Sequence, residues 1–342
     1  MSVCLCNLSA DTVLELVAQR KMELVPASPD SSEFVADPAL AQEALGELVT
    51  KLPKPLELLV GDPAQRRKVP NAACHVWKGP LPRNGVLALD EGVYVSSPEF
   101  TLLQQASQLH QANLCQMLGR YVGTWTPVED KPSGQEERAP LTSFESLNEF
   151  LQGVGLAWGK ASLKTAMAYT CEGAASAPET SLQLALCLPP ELYGLGMSQP
   201  IMNYEVGLST ESRILYPHDS IRIDLCWRHK MFGLEYQGEE HGGRLGEDYA
   251  RWFAAHNEGY ELWFLAKEQL ESASQLMHIA RKVAGRIGER IDDRLWPTQD
   301  EFQDLLDTLA GRKHPRPLSH KDLRRRMKVL RARLGNGRTR GR

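Results

Sequence analysis

Apolar and polar residues alternate along Ile221-Arg222-Ile223-Asp224-Leu225-Cys226-Trp227 and again along Phe232-Gly233-Leu234-Glu235-Tyr236-Gln237-Gly238. A period of two marks half-buried strands. Residues 228–231 between them suit a hairpin loop. If Trp227 and Phe232 close that loop, antiparallel pairing keeps the two residue numbers summing to 459, which sets Asp224 opposite Glu235. The polar face then carries Asp224, Glu235 and Gln237, while Ile223, Leu225, Leu234 and Tyr236 feed the core.

The same patterns predict the rest of the chain. Residues 1–125 read as a mix of short elements: helices over 9–19 and from Pro38 to before Pro53, and strands over 56–60, 73–77, 86–89 and 93–95. Ser97-Pro98-Glu99 is an N-cap with Pro at the first helical position. It opens a helix with a stripe of Phe100, Leu102, Leu103, Ala106 and Leu109, and a short helix over 114–121 follows. Residues 126–140 are polar, lack a packing stripe and read as a linker. Helices are then expected over 143–152, 160–169 and 177–188, and a strand over 202–206 precedes the hairpin. A helix over 245–256, a strand over 260–265 and one long helix over 268–290 complete the core. This order predicts an α/β arrangement with a mixed sheet. The expected division is an α+β domain at 1–125, a linker at 126–141, a second domain at 142–296 and a helical basic tail at 297–342.

With 342 residues the chain has room for two domains. It lacks an apolar run of the ~18 residues that spans a bilayer, and its start has no basic stretch leading into an apolar core. Seven cysteines without a Cys-x-x-Cys pair fit a reduced, cytoplasmic protein. The net charge of −4 hides a polarity: residues 311–342 hold 13 Lys and Arg against one acidic residue, Asp322. Such a tail reads either as a grip on a polyanion, nucleic acid first, or as a solvated segment that neutralises its own acidic body.

Two carboxylates directly opposite on a hairpin repel, with Cβ atoms about 4.5–5.5 Å apart, unless a cation sits between them. Magnesium or manganese suits the pair, because a hard ion needs only one or two carboxylates and keeps several waters. His241, in the turn Glu239-Glu240-His241-Gly242-Gly243, is a candidate general base. Arg244 and Arg251 are candidate phosphate contacts, and Arg251 is equally an ion-pair partner for Asp248 one turn earlier. Carboxylates on the wet face of a hairpin are also common without any function.

The hairpin, with Asp248-Tyr249-Ala250-Arg251 and Gly259-Tyr260-Glu261-Leu262-Trp263 beyond it, resembles the PD-(D/E)XK nuclease superfamily. The branch it is most similar to is that of the very-short-patch mismatch-repair endonuclease. The resemblance covers about residues 175–286. It implies a restriction-endonuclease-like mixed sheet flanked by helices, and hydrolysis of DNA phosphodiester bonds with Mg²⁺ or Mn²⁺. It also implies a helix acid, which maps to Glu179, as a third metal ligand beside Asp224 and Glu235. Gln237 stands where many members carry the catalytic Lys, which leaves a catalytically inactive DNA-binding module as the alternative. In the front half, His75-Val76-Trp77-Lys78-Gly79-Pro80-Leu81-Pro82 and Gly92-Val93-Tyr94-Val95-Ser96-Ser97-Pro98-Glu99 resemble the regulator part of abortive-infection-type antitoxins. That resemblance implies contact with DNA or a protein partner.

Overall fold

Val3, Cys4 and Leu5 are all fully buried, which only a central strand allows so short an apolar run. They form β1 (Val3–Leu5), which leads into α1 (Asn7–Gln19), β2 (Val25–Ala27) and α2 (Pro38–Leu45). Next come β3 (Leu56–Val60), β4 (Ala72–Val76), β5 (Val86–Asp90), β6 (Val93–Ser96) and α3 (Pro98–Gln105). The computed structural model describes all residues except 1, 21, 66–68, 129–130, 132–133, 239–244, 293, 314–326 and 329–342. The six strands form one sheet in the order β2-β5-β6-β1-β3-β4. β1 runs parallel to β6 and antiparallel to β3. Val3 and Leu5 pack there with Val13 and Val17 of α1 and with Leu56 and Leu58.

After α3 the chain forms α4 (Gln111–Tyr121), the strand pair β7 (Trp125–Pro127) and β8 (Gln135–Glu137), α5 (Phe144–Gly153) and α6 (Lys160–Tyr169). The compact units differ from the linear division expected. One comprises Met1–Leu109 with Glu137–Thr165, the other His110–Glu136 with Ala166–Arg342. Residues 126–141, expected as a linker, hold a buried anchor instead. Arg138 grips Glu15 of α1 with Nε–Oε2 and Nη2–Oε1 distances of 3.0 and 3.1 Å, both side chains under a tenth exposed. A bidentate guanidinium–carboxylate pair fixes geometry as well as charge. Further on, the Thr142 hydroxyl donates to Glu99 at 2.5 Å, so the approach to α5 is tied to α3.

The second unit continues with α7 (Ala177–Cys187), β9 (Ile201–Gly207), α8 (Thr210–Leu215), β10 (Ser220–Trp227) and β11 (Phe232–Gln237). It ends in α9 (Leu245–Asn257), β12 (Glu261–Ala266), α10 (Lys267–Glu271), α11 (Ala273–Ile287) and α12 (Gln299–Leu309). The sheet order is β12-β11-β10-β9. β10 pairs antiparallel with both β9 and β11, and β12 returns parallel to β11 after the α9 crossover. The chain is therefore of mixed α/β class, as its pattern predicts. Ala254 and Ala255 of α9 pack onto Ile221, Ile223 and Leu262. α7 lies against β10 and α4, and α12 covers both of those helices. Contact with α4 is close because Gly119 has no side chain: a Cβ there would stand 2.5 Å from Thr180 Cγ2.

Two expectations near the end change. The single helix expected over 268–290 is broken at Ser272, whose hydroxyl accepts from Gln275 N–H and caps α11. The region expected as a basic tail opens with the acidic helix α12, capped by a Thr298–Glu301 box and buried through Phe302, Leu305, Leu306 and Leu309. Arg312 and Lys313 fold back onto Glu271, Asp304 and Asp307, so these first two cations neutralise their own unit. The rest of the basic segment lies outside the described residues, apart from Met327 and Lys328.

Replacing Arg138 with Ala strands the Glu15 carboxylate, and urea unfolding should register a loss of about 3–5 kcal/mol. Arg138→Lys should restore only part of it, because an ammonium cannot bridge both oxygens. A loss below about 1 kcal/mol for Arg138→Ala would show that residue 138 sits in a solvated linker.

Candidate functional site

The hairpin register is the one the alternation predicts. Leu225↔Leu234, Cys226↔Gly233 and Trp227↔Phe232 are paired across the four-residue loop. Pairing ends one step before Asp224 and Glu235. There the Tyr236 N–H donates to Asp224 Oδ2 at 2.8 Å, so a side-chain oxygen takes over from the ladder. On its other side Asp224 is bracketed by Ile223↔Tyr204 and Leu225↔Met202, which sets Asn203 across from it. Asn203 has a φ of 47°, a left-handed conformation that Asn tolerates better than most residues. Asn203, Asp224 and Glu235 thus form a polar row across three strands.

The strict two-faced alternation breaks at this row. Ile223 and Cys226, three residues apart, share one apolar cluster with Ala254 and Leu262. Regular pleating would send them to opposite faces, so the phase slips at Asp224. Gly233 permits the crowding that results, since a Cβ there would stand 2.3 Å from Ile223 Cγ2 and 2.9 Å from Leu262 Cδ2. The expected wet polar face is corrected too: Glu235 is only 3% exposed.

Glu179 sits in the first turn of α7, three residues after the N-cap Ser176. Ser176 Oγ donates to its Oε1 at 2.8 Å while accepting from Glu179 N–H at 3.2 Å. Ala175 N–H and Asn203 Nδ2 donate to Oε2 at 2.9 and 2.6 Å. The helix acid is therefore held by the N-cap hydroxyl and the Ala175 N–H, and it joins the row through Asn203, whose amide also reaches the Gly173 carbonyl at 3.0 Å. Pattern reading missed Asn203; its only signal was a polar residue at the centre of a strand that pairs with β10.

Charge in this pocket is out of balance. Burial, then the Asp224 charge, hold the Glu235 carboxyl far above the usual carboxylate range, with Arg251 pulling against them. Burial and the Glu179 charge push Asp224 up to about 7, despite the Tyr236 N–H and Arg251. Glu179 is raised by burial against its three donors. Arg251 of α9 supplies the compensating cation: its Nη2 lies 2.8 Å from Glu235 Oε2 and also donates to the Arg222 carbonyl. Desolvation weakens its proton hold, yet Glu235 and Asp224 more than offset this and raise its pKa. One cation against three carboxylates leaves an excess. Glu235 Oε1, moreover, is buried with no hydrogen-bond partner among the described residues.

The sequence-predicted residues separate accordingly. Glu179, Asp224 and Glu235 interact, and Arg251 closes the group as an ion-pair partner of Glu235. Gln237 lies two residues along β11, half-buried and paired with Ala266 of β12. His241 and Arg244 lie outside the described residues. Among the described residues no group of three or more His, Cys, Asp or Glu is placed to hold a metal ion. The free oxygen of Glu235 and the charge excess fit a hard cation held by two carboxylates and water. Beside the row a cavity of about 370 Å³ is walled by Tyr216, Arg222, Glu247, Asp248 and Arg251.

A folded-state pKa of about 7 for Asp224, against 3.8 for a free carboxyl, means that protonation stabilises the fold. That contribution is complete below pH 4 and lost as pH rises through about 7. Asp224→Asn keeps an acceptor for Tyr236 N–H and removes the charge. At pH 8 it should raise unfolding free energy by roughly 1–3 kcal/mol, with little change at pH 4. Equal effects at both pH values in a denaturation series would contradict this electrostatic account.

Compared with models of known protein families, with curated proteins and with solved structures, the chain matches none.

Proposed function

We propose that the second unit is a metal-dependent DNA endonuclease of PD-(D/E)XK type that hydrolyses phosphodiester bonds, in DNA repair or phage defence. The observation that carries this reading is the orphaned Oε1 of Glu235 in a buried row with excess negative charge. Proteins do not leave such an oxygen unpartnered without a reason, since the cost is at least about 1–3 kcal/mol. The order α7, β9, α8, β10, β11, α9, β12 supports it further, because it brings a helix acid, a strand Asp and a Glu on the next strand into one group.

Asp224 and Glu235 would hold Mg²⁺ or Mn²⁺, which when bound supplies charge for a phosphoryl oxygen and an acidified water. The chain's own residues set the stage. Tyr236 N–H fixes one oxygen of Asp224 and leaves the other to a ligand. Glu179 orders Asn203 and adds negative charge that strengthens cation binding. Gln237 orients water through its amide, but it lacks the ammonium that would stabilise a developing oxyanion. Arg251, fixed by Glu235 and the Arg222 carbonyl, keeps a guanidinium at the cavity wall where a phosphate would enter. His241 and Arg244 are assigned proton transfer and a phosphate contact, respectively. Phe264, paired with Glu235 and 40% exposed, offers a flat apolar surface on the neighbouring strand for a base to stack on.

A second reading has its own support. The 2.8 Å Arg251–Glu235 pair already answers part of the charge with a protein cation, and Gln237 replaces the expected Lys. Both fit a catalytically inactive nuclease-fold module that binds DNA or serves as an antitoxin-like regulator.

With Mg²⁺ or Mn²⁺ the intact chain should nick or linearise supercoiled plasmid. Asp224→Ala and Glu235→Ala should each lose on the order of 100-fold or more in rate, several kcal/mol of charge stabilisation. Metal-independent DNA retention without cleavage would establish the second reading instead. If about six of the basic side chains beyond residue 313 engage duplex DNA, log affinity should fall with log salt at a slope near −5. Deleting residues 314–342 should flatten that slope, and an unchanged slope would rule the segment out as the DNA grip.

A further inference from the structure

The first unit contains a cavity of about 590 Å³ that the nuclease reading does not use. Its size falls within the range of small-molecule sites, roughly 300–1,000 Å³. One wall is polar and built by α1 and α3. Asn7, with φ 47° at the start of α1, donates its N–H to Gln104 Oε1 at 3.2 Å and accepts from Gln108 Nε2 at 3.1 Å. Because the Asn7 N–H must meet an oxygen, the Gln104 amide has a fixed orientation. Its Nε2 is then a buried donor without a partner among the described residues. His75 Nε2, also at the cavity wall, has no hydrogen-bond partner among the described residues, although Glu57 Oε1 lies 3.4 Å away.

The opposite character comes from Trp77, Leu103, Leu156 and Trp158. Trp158 and Leu156 are 92% and 109% exposed, so a flat indole stands in water at the mouth of the cavity. Lys78, also exposed, lines the same cavity and brings a positive charge to it. An apolar ligand would leave Gln104 and His75 unsatisfied, and a bare anion would leave the indoles wet. A planar heterocycle with acceptor atoms and an anionic group satisfies every wall at once.

We infer that this cavity is a binding site for a mononucleotide. The base stacks on Trp158 and presents an acceptor to Gln104 Nε2, and the phosphate meets Lys78. Stacking on an indole is tolerant of base identity, while the single free Nε2 donor favours a base with an acceptor on the facing edge. This inference stands on the first unit alone and is independent of the nuclease reading.

Titrating AMP, GMP, CMP and UMP into the full chain by calorimetry should reveal at least one with a dissociation constant below about 1 mM, in the affinity range of small ligands. Trp158→Ala should weaken that nucleotide roughly fivefold to a hundredfold and leave thermal stability unchanged, because the side chain is exposed. Gln104→Leu should weaken it about tenfold, the loss of one buried hydrogen bond. Asp224→Ala, in the other unit, should leave it unaffected. The inference is overturned if no nucleotide binds at millimolar concentration. Equal binding by Trp158→Ala, or tighter binding of inorganic phosphate or octanoate than of any nucleotide, would overturn it as well.

Discussion

Repulsion among three carboxylates, held out of water by the sheet and α7, is the constraint around which the second unit is built. Asp224 and Glu235 occupy neighbouring strands, and Glu179 approaches from the helix. Each of their neighbours can be read as a response to that charge. Tyr236 gives up a ladder bond to serve Asp224. Asn203 accepts a left-handed backbone and ties Glu179 to the strands. Arg251 reaches from α9 to Glu235. Buried like charges of this kind shift toward protonation or recruit a cation, and both outcomes make the site responsive to pH and to ions.

Arg251 decides how the site is poised. Its guanidinium answers one negative charge, not all three, so Glu235 keeps an unpartnered oxygen even in its presence. A structural ion pair would be expected to satisfy both oxygens, as Arg138 does for Glu15 in the first unit. The contrast between these two buried arginine–carboxylate pairs separates a pair that anchors a fold from one that leaves binding capacity. Perturbed carboxylates beside a cavity are also where function concentrates in folded proteins.

The hairpin was legible because loop length and alternation determine register together; a one-residue slip would turn every side chain over. What alternation did not reveal is the phase slip at Asp224, since it depends on Asn203 from another strand. It suggested a wet face for Glu235 because local patterning carries no information about which helix covers a sheet. The supposed linker had polar composition, yet Arg138 is held by Glu15, more than a hundred residues earlier in the chain. Composition does not encode such a partner. The break at Ser272 was likewise concealed by a continuous helical pattern, and β1 by its brevity. Glu179 came from a resemblance, and its place in the first turn of α7, where an acid suits the helix dipole, explains why periodicity alone gave it no distinction.

In the proposed metal site, Asp224 and Glu235 exchange protons for a divalent cation. Calorimetry of Mn²⁺ binding near pH 6.5, run in two buffers of different ionisation enthalpy, counts the protons released per ion bound. One binding event that releases about one to two protons is expected, with both the binding and the release lost in Glu235→Gln. Binding without proton release, or binding that Glu235→Gln leaves intact, would contradict it.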